Sequence, residues 1–488
     1  MLKSSEWNFA GRLVERLGEN SQLTDAATGQ THLAADVPGL IAGFGAGFQS
    51  LGLRPGDKVL ISCGLTPATL LAYLGAMYVG CVPVLMDERT LELTGQLVFT
   101  KAQAKAAWTA KGIRWDWPRK NGFAQVEGYF DPCPITALPP VPCAENDLAV
   151  LVPTSGSTGA PSLVMVSHGN LVANTEAIIR SQLLGTDEKA MLIMPVSYCF
   201  GASVVHTHLY QGGGVVVDSR FMFPDKVLQA INTYNCTSFA GVPTVYNILL
   251  RRSHIESIAM PSLRRLLIAG GGLGTESVQR LRDMLPNMKL FVMYGQTEAT
   301  ARISCLPSDR LGEKLGSAGL PLDNLTVRIA DDAGHELPND QTGEIQVRGP
   351  SVCAGYFDNP EATRLKFEGG WLKTGDLGCR DKDGYLWIQG RKSEFIKIRG
   401  VRVSLAEVEA KVSTIAGVYE CAAASVPHPE AGEALALWVV GDEKADDLGE
   451  RVRRELPPHW TCSAVRTVLE LPKTANGKIA RLQLQTLA

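Results

Sequence analysis

The sequence predicts an α/β protein: a large, multi-subdomain, doubly wound N-terminal domain with a distorted β-barrel part, and a small α+β C-terminal domain. Three observations predict it. Short β-rich runs alternate with helical stretches over roughly the first 300 residues, the pattern of parallel βαβ units. Beyond about residue 315 the texture changes to short strands punctuated by Gly and Asp. The 488 residues, 45% hydrophobic and 20% charged, can bury a large core and exceed one ordinary domain of about 150 residues.

In chain order, strands are expected at 58–62, 81–85 and 149–152, with helices over 67–79 and 170–181. The alternation continues through a strand at 214–217, a helix over 225–234, strands at 237–240 and 266–269, and a helix over 275–284. The runs 325–329, 343–348 and 384–388 read as hairpins or a small barrel. A boundary falls at Gly390-Arg391, dividing domains 1–389 and 390–488. The tail carries a helix over 404–413, strands at 418–426 and 434–440, and a helix over 448–456.

Composition excludes several functions. Forty-seven basic against fifty acidic residues give a net charge of −3, no footprint for nucleic acid. Eleven scattered cysteines without a Cys-x-x-Cys pair disfavour a zinc site and a disulfide framework, and fit a cytoplasmic protein. No secretory signal is visible in the charged first twenty residues. The uncharged stretches 59–86 and 191–217 are broken by Pro, Gly and His, so they read as buried strand–helix–strand rather than integral membrane segments.

The strongest local signal is the segment from Leu151 to Pro161, a hydrophobic strand running into Thr154, Ser155, Gly156, Ser157, Thr158 and Gly159. Such a loop can wrap phosphate oxygens with backbone N–H groups and hydroxyls. By composition alone, a flexible Ser/Gly turn explains it equally well. It is not a Walker loop, because no Gly-Lys-Ser/Thr follows.

That segment, followed by Tyr294-Gly-Gln-Thr-Glu298, Thr374-Gly-Asp376, Gly390-Arg391 and Pro472-Lys-Thr-Ala-Asn-Gly-Lys478, resembles the adenylate-forming superfamily of acyl-CoA synthetases, nonribosomal adenylation domains and luciferases. Five motifs stand in the family's order over nearly the whole chain. The resemblance implies a ligase that joins a carboxylate to ATP, giving an acyl-adenylate and pyrophosphate, then passes the acyl group to a thiol or amine. Catalysis at an anionic α-phosphate needs charge neutralisation and in-line positioning.

The resemblance implies that Lys478 supplies the charge, Glu298 holds Mg2+, and Thr297 bonds the α-phosphate. Tyr294 and Gly295 would stand at adenine with the Gly270-Gly271-Gly272 turn, Asp376 would take the ribose hydroxyls and Arg391 would hold the ribose. In isolation, Tyr294 would read as a core aromatic and Asp376 as a turn residue. The matching acyl pocket is Gly201, Ala202, Val205, Ala240, Leu267, Ala269, Met293 and Ala301, mostly small and apolar, a lining that suggests a roomy pocket for an uncharged acyl or aryl group, with Tyr198 at the gating position. Arg302 beside it would meet a second carboxylate or polar group of the substrate, or else be an outward, salt-bridged arginine. His206 and His208 decorate a helix rather than bind metal, and Cys199 packs.

Two departures and two open choices remain. Pro161-Ser162-Leu163 stands where relatives read Pro-Lys-Gly, so a lysine that meets the β- and γ-phosphates is missing, and pyrophosphate handling is expected to be weaker or to use another cation. Ser393 stands at the hinge where Asp or Lys is usual. Phe200-Gly201-Ala202-Ser203 lacks the Asp with which amino-acid-activating relatives pair an ammonium, disfavouring a standard α-amino acid. The acceptor is CoA or the phosphopantetheine of an acyl carrier protein, its arm passing Gly400, or else the amine of an amide-forming ligase. The expected partners are a small carboxylic acid, ATP, Mg2+ and CoA or that carrier, in a monomer or homodimer. A rival reading is a non-catalytic nucleotide-binding protein that keeps the fold.

Overall fold

The computed structural model describes residues 7–110, 124–154, 161–398, 401–428, 432–441, 448–457, 460, 462–473 and 479–484. The chain divides into two compact units, residues 1–327 with 347–373, and residues 328–346 with 374–488.

In the first unit the expected parallel strands fall into two sheets. The smaller has six strands, in the order Ala124–Glu127, Ala106–Thr109, Lys58–Cys63, Val82–Asp87, Leu148–Thr154 and Ser162–Ser167. All neighbours are parallel except the last pair, an antiparallel hairpin that sets Thr154 opposite Ser162. The larger sheet has nine strands. Its parallel centre runs Lys289–Tyr294, Arg265–Ile268, Ser238–Gly241, Lys189–Leu192, Gly214–Val217 and Gln22–Asp25, with antiparallel strands at both edges. Parallel strands with helices on their faces are buried on both sides, which is why they read as continuous Val/Ile/Leu runs.

Both long uncharged stretches are strand–helix–strand. The first is Lys58–Cys63, the helix Pro67–Tyr78 and Val82–Asp87; the second is Lys189–Leu192, the helix Cys199–Tyr210 and Gly214–Val217. Pro67 opens its helix behind a Thr66 cap, and the helix His168–Gln182 starts with a reciprocal Ser167–Asn170 capping box. Among the described residues no helix is long and apolar enough to cross a membrane.

In the second unit, residues 376–380 of the strand Trp371–Arg380 pair antiparallel with Leu386–Arg391, with Asp376 opposite Arg391. The tail is a five-stranded sheet of Val401–Ser404, Phe395–Ile398, Gly432–Gly441, Val418–His428 and Cys462–Thr467. Helices Leu405–Ser413 and Leu448–Glu455 close its core through Val408, Val412, Leu448 and Val452. This is the α+β tail expected from the sequence.

Candidate active site

The Ser/Gly-rich segment joins the two strands of the hairpin. Thr154 donates from Oγ1 to the Ser162 carbonyl at 3.4 Å; Ser155, Gly156, Ser157, Thr158 and Gly159 lie outside the described residues. At the far end of the segment Lys101 donates to the Pro161 carbonyl at 2.8 Å. Sequence reasoning missed this ammonium, which belongs to a distant helix, Leu91–Ala102.

The segment from Tyr294 to Arg302 concentrates the expected chemistry. Strand Lys289–Tyr294 ends at Tyr294, and the chain folds back so tightly that a Cβ on Gly295 would lie 1.8 Å from the Ala301 carbonyl oxygen, so only glycine fits. A 3₁₀ turn over Thr297–Ala299 follows. Thr297 Oγ1 reaches Cys199 Sγ at 3.6 Å, and Cys353 N donates to the Glu298 carbonyl at 2.9 Å. The Tyr356 hydroxyl donates to Glu298 Oε1 at 2.7 Å. Tyr356 follows Gly355 without a motif of its own, and nothing in the sequence pointed to it.

This geometry suits a magnesium ion brought by a nucleotide. Mg2+ takes one or two carboxylates and fills its shell with phosphates and water, and Glu298 offers a carboxylate aimed from one oxygen, with no described residue bonded to the other. Among the described residues no group of three or more His, Cys, Asp or Glu side chains could hold a metal unaided.

Gly270, at φ +90°, opens the glycine turn, and a Cβ there would strike the Tyr198 hydroxyl at 2.2 Å. Tyr198 therefore lies against this turn, at the N-cap position of helix Cys199–Tyr210, where burial pushes its phenol pKa up. Gly271 meets only the Pro243 ring at 3.5 Å, and at Gly272 a Cβ would meet nothing within 4 Å. The turn is open enough for a planar ligand to approach.

Of the expected pocket residues, Ala202 and Ala301 line a cavity of about 20 Å³, room for about one water, together with Cys199, Ser203, Thr300 and His206. Leu267 and Arg302 line a narrower cleft beside it with Phe200, Gln182 and again Ser203. Gly201 does not widen the pocket: a Cβ there would meet the Pro195 carbonyl at 2.4 Å, so the glycine lets the helix start close to the preceding turn. Met293 Sδ accepts from Gln182 Nε2 at 3.1 Å, while Val205, Ala240 and Ala269 are buried.

The two histidines are interior rather than decoration, because the helix that carries them is buried on all sides. His206 Nε2 meets the Tyr73 hydroxyl at 3.0 Å and His208 Nε2 meets Ser238 Oγ at 2.8 Å. Desolvation lowers His206 to about 3 and His208 to about 4, so both are neutral near pH 7. Arg302 does not point outward and has no salt bridge among the described residues. It is 2% exposed, with its guanidinium 4.8 Å from the centre of the Phe200 ring.

In the second unit Asp376 is buried and pairs with Arg391, Oδ1 to Nε at 2.8 Å. Lys478 and Gly400 lie outside the described residues. Next to Lys478 in the chain, Ile479 forms a β-bridge with Lys473, whose ammonium pairs with Glu420 at 2.9 Å.

A family model described as "AMP-binding enzyme" matches residues 34–357, and one described as "AMP-binding enzyme C-terminal domain" matches residues 407–478. The chain is 32% identical to a 4-coumarate–CoA ligase-like protein of Oryza sativa, covering 96% of this chain and 90% of that one. It is 34% identical to a sulfoacetate–CoA ligase of Cupriavidus necator, covering 90% and 89%. Its fold is similar to that of o-succinylbenzoate CoA synthetase from Bacillus subtilis, solved with its acyl-adenylate, at 23% identity and a TM-score of 0.86 over 98% of each chain.

Proposed function

The chain belongs to the AMP-binding enzyme family of adenylate-forming enzymes, and from that premise we propose that it is an AMP-forming carboxylate–CoA ligase for a small acid other than a standard α-amino acid. One observation carries the reading. The segment 294–302 bears Thr297 and Glu298 at one end and the pocket residues Ala301 and Arg302 at the other, and Thr297 touches Cys199, itself part of the cavity wall. An acid seated in that pocket presents its carboxylate where Thr297 receives a phosphate.

Thr297 holds the α-phosphate and Glu298, oriented by Tyr356, holds Mg2+, which offsets phosphate charge. Tyr294 and the Gly270–Gly272 turn receive adenine, Asp376 takes the ribose hydroxyls, and Arg391 holds Asp376 and the ribose. The substrate carboxylate attacks the α-phosphorus, pyrophosphate leaves, and Lys478 stabilises the charge that develops. The thiol of CoA then attacks the acyl carbon and AMP departs. Residues 390–488 act as the lid that brings Lys478 in for the first step and opens a path past Gly400 for the second. Lys101, bonded to the end of the phosphate-binding segment, supports the cation role left open by Ser162. Eleven free cysteines favour a reducing, cytoplasmic setting.

The experiment is ATP-dependent pyrophosphate release over a panel of acids, with mass spectrometry of the CoA product. Lys478→Ala is expected to abolish pyrophosphate release while ATP still binds. Unchanged turnover would overturn its role, and loading of a holo carrier protein without acyl-CoA would overturn the choice of acceptor.

A further inference from the structure

Arg302 is a buried cation that no carboxylate among the described residues pairs with. Asn174 fixes its backbone by two hydrogen bonds, Nδ2 to the Arg302 carbonyl at 3.0 Å and Arg302 N to Oδ1 at 3.3 Å, so the side chain is projected inward from a rigid point. The guanidinium lies over the face of Phe200. Among the described residues no carboxylate pairs with it and no acceptor bonds it, and its Nε is buried without a partner. The groups facing it include no carboxylate: the phenol of Tyr198, the thiols of Cys199 and Cys305, the amide of Gln182, the hydroxyl of Ser203 and the side chain of Leu267. Desolvation pulls the Arg302 pKa below its ordinary value, yet an arginine keeps its proton at neutral pH.

We propose that the acid activated by this enzyme carries a second anionic group, a carboxylate or sulfonate, and that Arg302 binds it in the cleft beside the acyl pocket. This rests on the ligase reading and names the substrate class for the same site. A guanidinium stacked on a ring keeps its hydrogen-bonding edge open, and that edge matches a planar carboxylate or two sulfonate oxygens. A neutral carbonyl would leave the charge uncompensated, and an ammonium would be repelled. Both would leave a penalty that an anion removes. The substrate is compact. Thr297, at the reacting end, touches Cys199, and Arg302 touches the next residue, Phe200, so the two anions are separated by a short aliphatic chain or a single ring.

The test uses the full-length enzyme with ATP, Mg2+ and CoA, and matched pairs of acids: malonate, succinate, glutarate, phthalate and isophthalate against their monoamides, and sulfoacetate against methylsulfonylacetate. The expected result is a kcat/KM for the best dianionic acid about 100-fold or more above its neutral partner. Arg302→Met should level that preference and Arg302→Lys restore part of it; the malonate and sulfoacetate arms decide between carboxylate and sulfonate. Neutral partners that match or exceed every dianion in the wild type would overturn the inference without need of a variant. If no acid releases pyrophosphate, the ligase reading falls while calorimetric titration of the same dianions into wild type and Arg302→Met still decides the site. Binding lost in the variant, with its melting transition intact, supports it. Equal binding in both proteins, or none in the wild type, overturns it.

Discussion

Two buried arginines among the described residues of the first unit, Arg265 and Arg302, have opposite surroundings. Arg265, on a central strand of the nine-stranded sheet, bonds Glu188 through Nη1 and the Leu183 carbonyl through Nη2 at 2.9 Å. Glu188 also accepts from Thr237 Oγ1 at 2.5 Å. Arg302, just beyond the neighbouring strand Lys289–Tyr294, has an aromatic face and no carboxylate among the described residues. Both leave Nε unpartnered, so a stray N–H is not what sets them apart; the carboxylate is. A charge that the fold itself neutralises serves the fold, and one that the fold leaves bare waits for a ligand.

The largest effect comes from breaking the neutralised pair. Glu188→Ala strands the Arg265 charge in the interior, and removing one partner of a buried pair typically costs about 3–5 kcal/mol. Arg302→Met removes a charge that was never paired, so stability should stay level or rise while use of dianionic acids falls. Urea unfolding of both variants checks the contrast. A loss of stability in Arg302→Met similar to that in Glu188→Ala would mean that Arg302 belongs to the scaffold.

These two arginines also mark how far the sequence could be read. Strands 214–217 and 343–348 and the helix over 275–284 are found with the expected bounds, because apolar runs and their Gly or Asp punctuation report burial directly. The roles given to Tyr294 through Arg302 rest on the resemblance rather than on apolar runs, and they stand as part of the proposed function. Partners contributed by distant segments were not legible at all. Tyr356 on Glu298, Lys101 on Pro161 and Asn174 behind Arg302 depend on tertiary approach, which periodicity does not encode. That His206 and His208 sit on a helix was legible, but their burial was not, because two imidazoles look polar until each is seen with its own hydrogen-bond partner inside. Gly201 looked like pocket space, and the carbonyl of Pro195 fills it.

A smaller effect sharpens the paired side. His208 stands close enough to Glu188 and Arg265 to feel both, the acid raising and the guanidinium lowering its pKa, but desolvation dominates and holds it at about 4 against an ordinary 6.5. Above pH 6.5 the ring is neutral folded or unfolded. Below it, the unfolded chain takes up a proton that the folded chain refuses, so stability is lost as pH falls from 6.5 towards 4. Between pH 7 and 5.5 this one group accounts for about 1 kcal/mol. His168 and His206 are lowered by burial in the same direction, so the readout is a difference. His208→Gln should flatten the acid limb of the unfolding midpoint relative to wild type, and an unchanged limb would show that His208 is not excluded from protonation.

The smallest effect lies on the bare side, at the ring beneath Arg302. Phe200 lies beneath the guanidinium, and a desolvated cation–π contact contributes about 1–2 kcal/mol. Phe200→Leu removes the ring and some packing together, so the single variant cannot separate them. A double-mutant cycle with Arg302→Met does, because packing lost by Leu is common to both backgrounds and cancels. The expected coupling is about 1 kcal/mol in favour of the native pair. A coupling near zero would mean that the ring merely fills space and that Arg302 is barer still, which strengthens its need for an anion. A coupling several times larger would mean that Phe200 already does for Arg302 much of what Glu188 does for Arg265, and the contrast between the two arginines would narrow to one of degree.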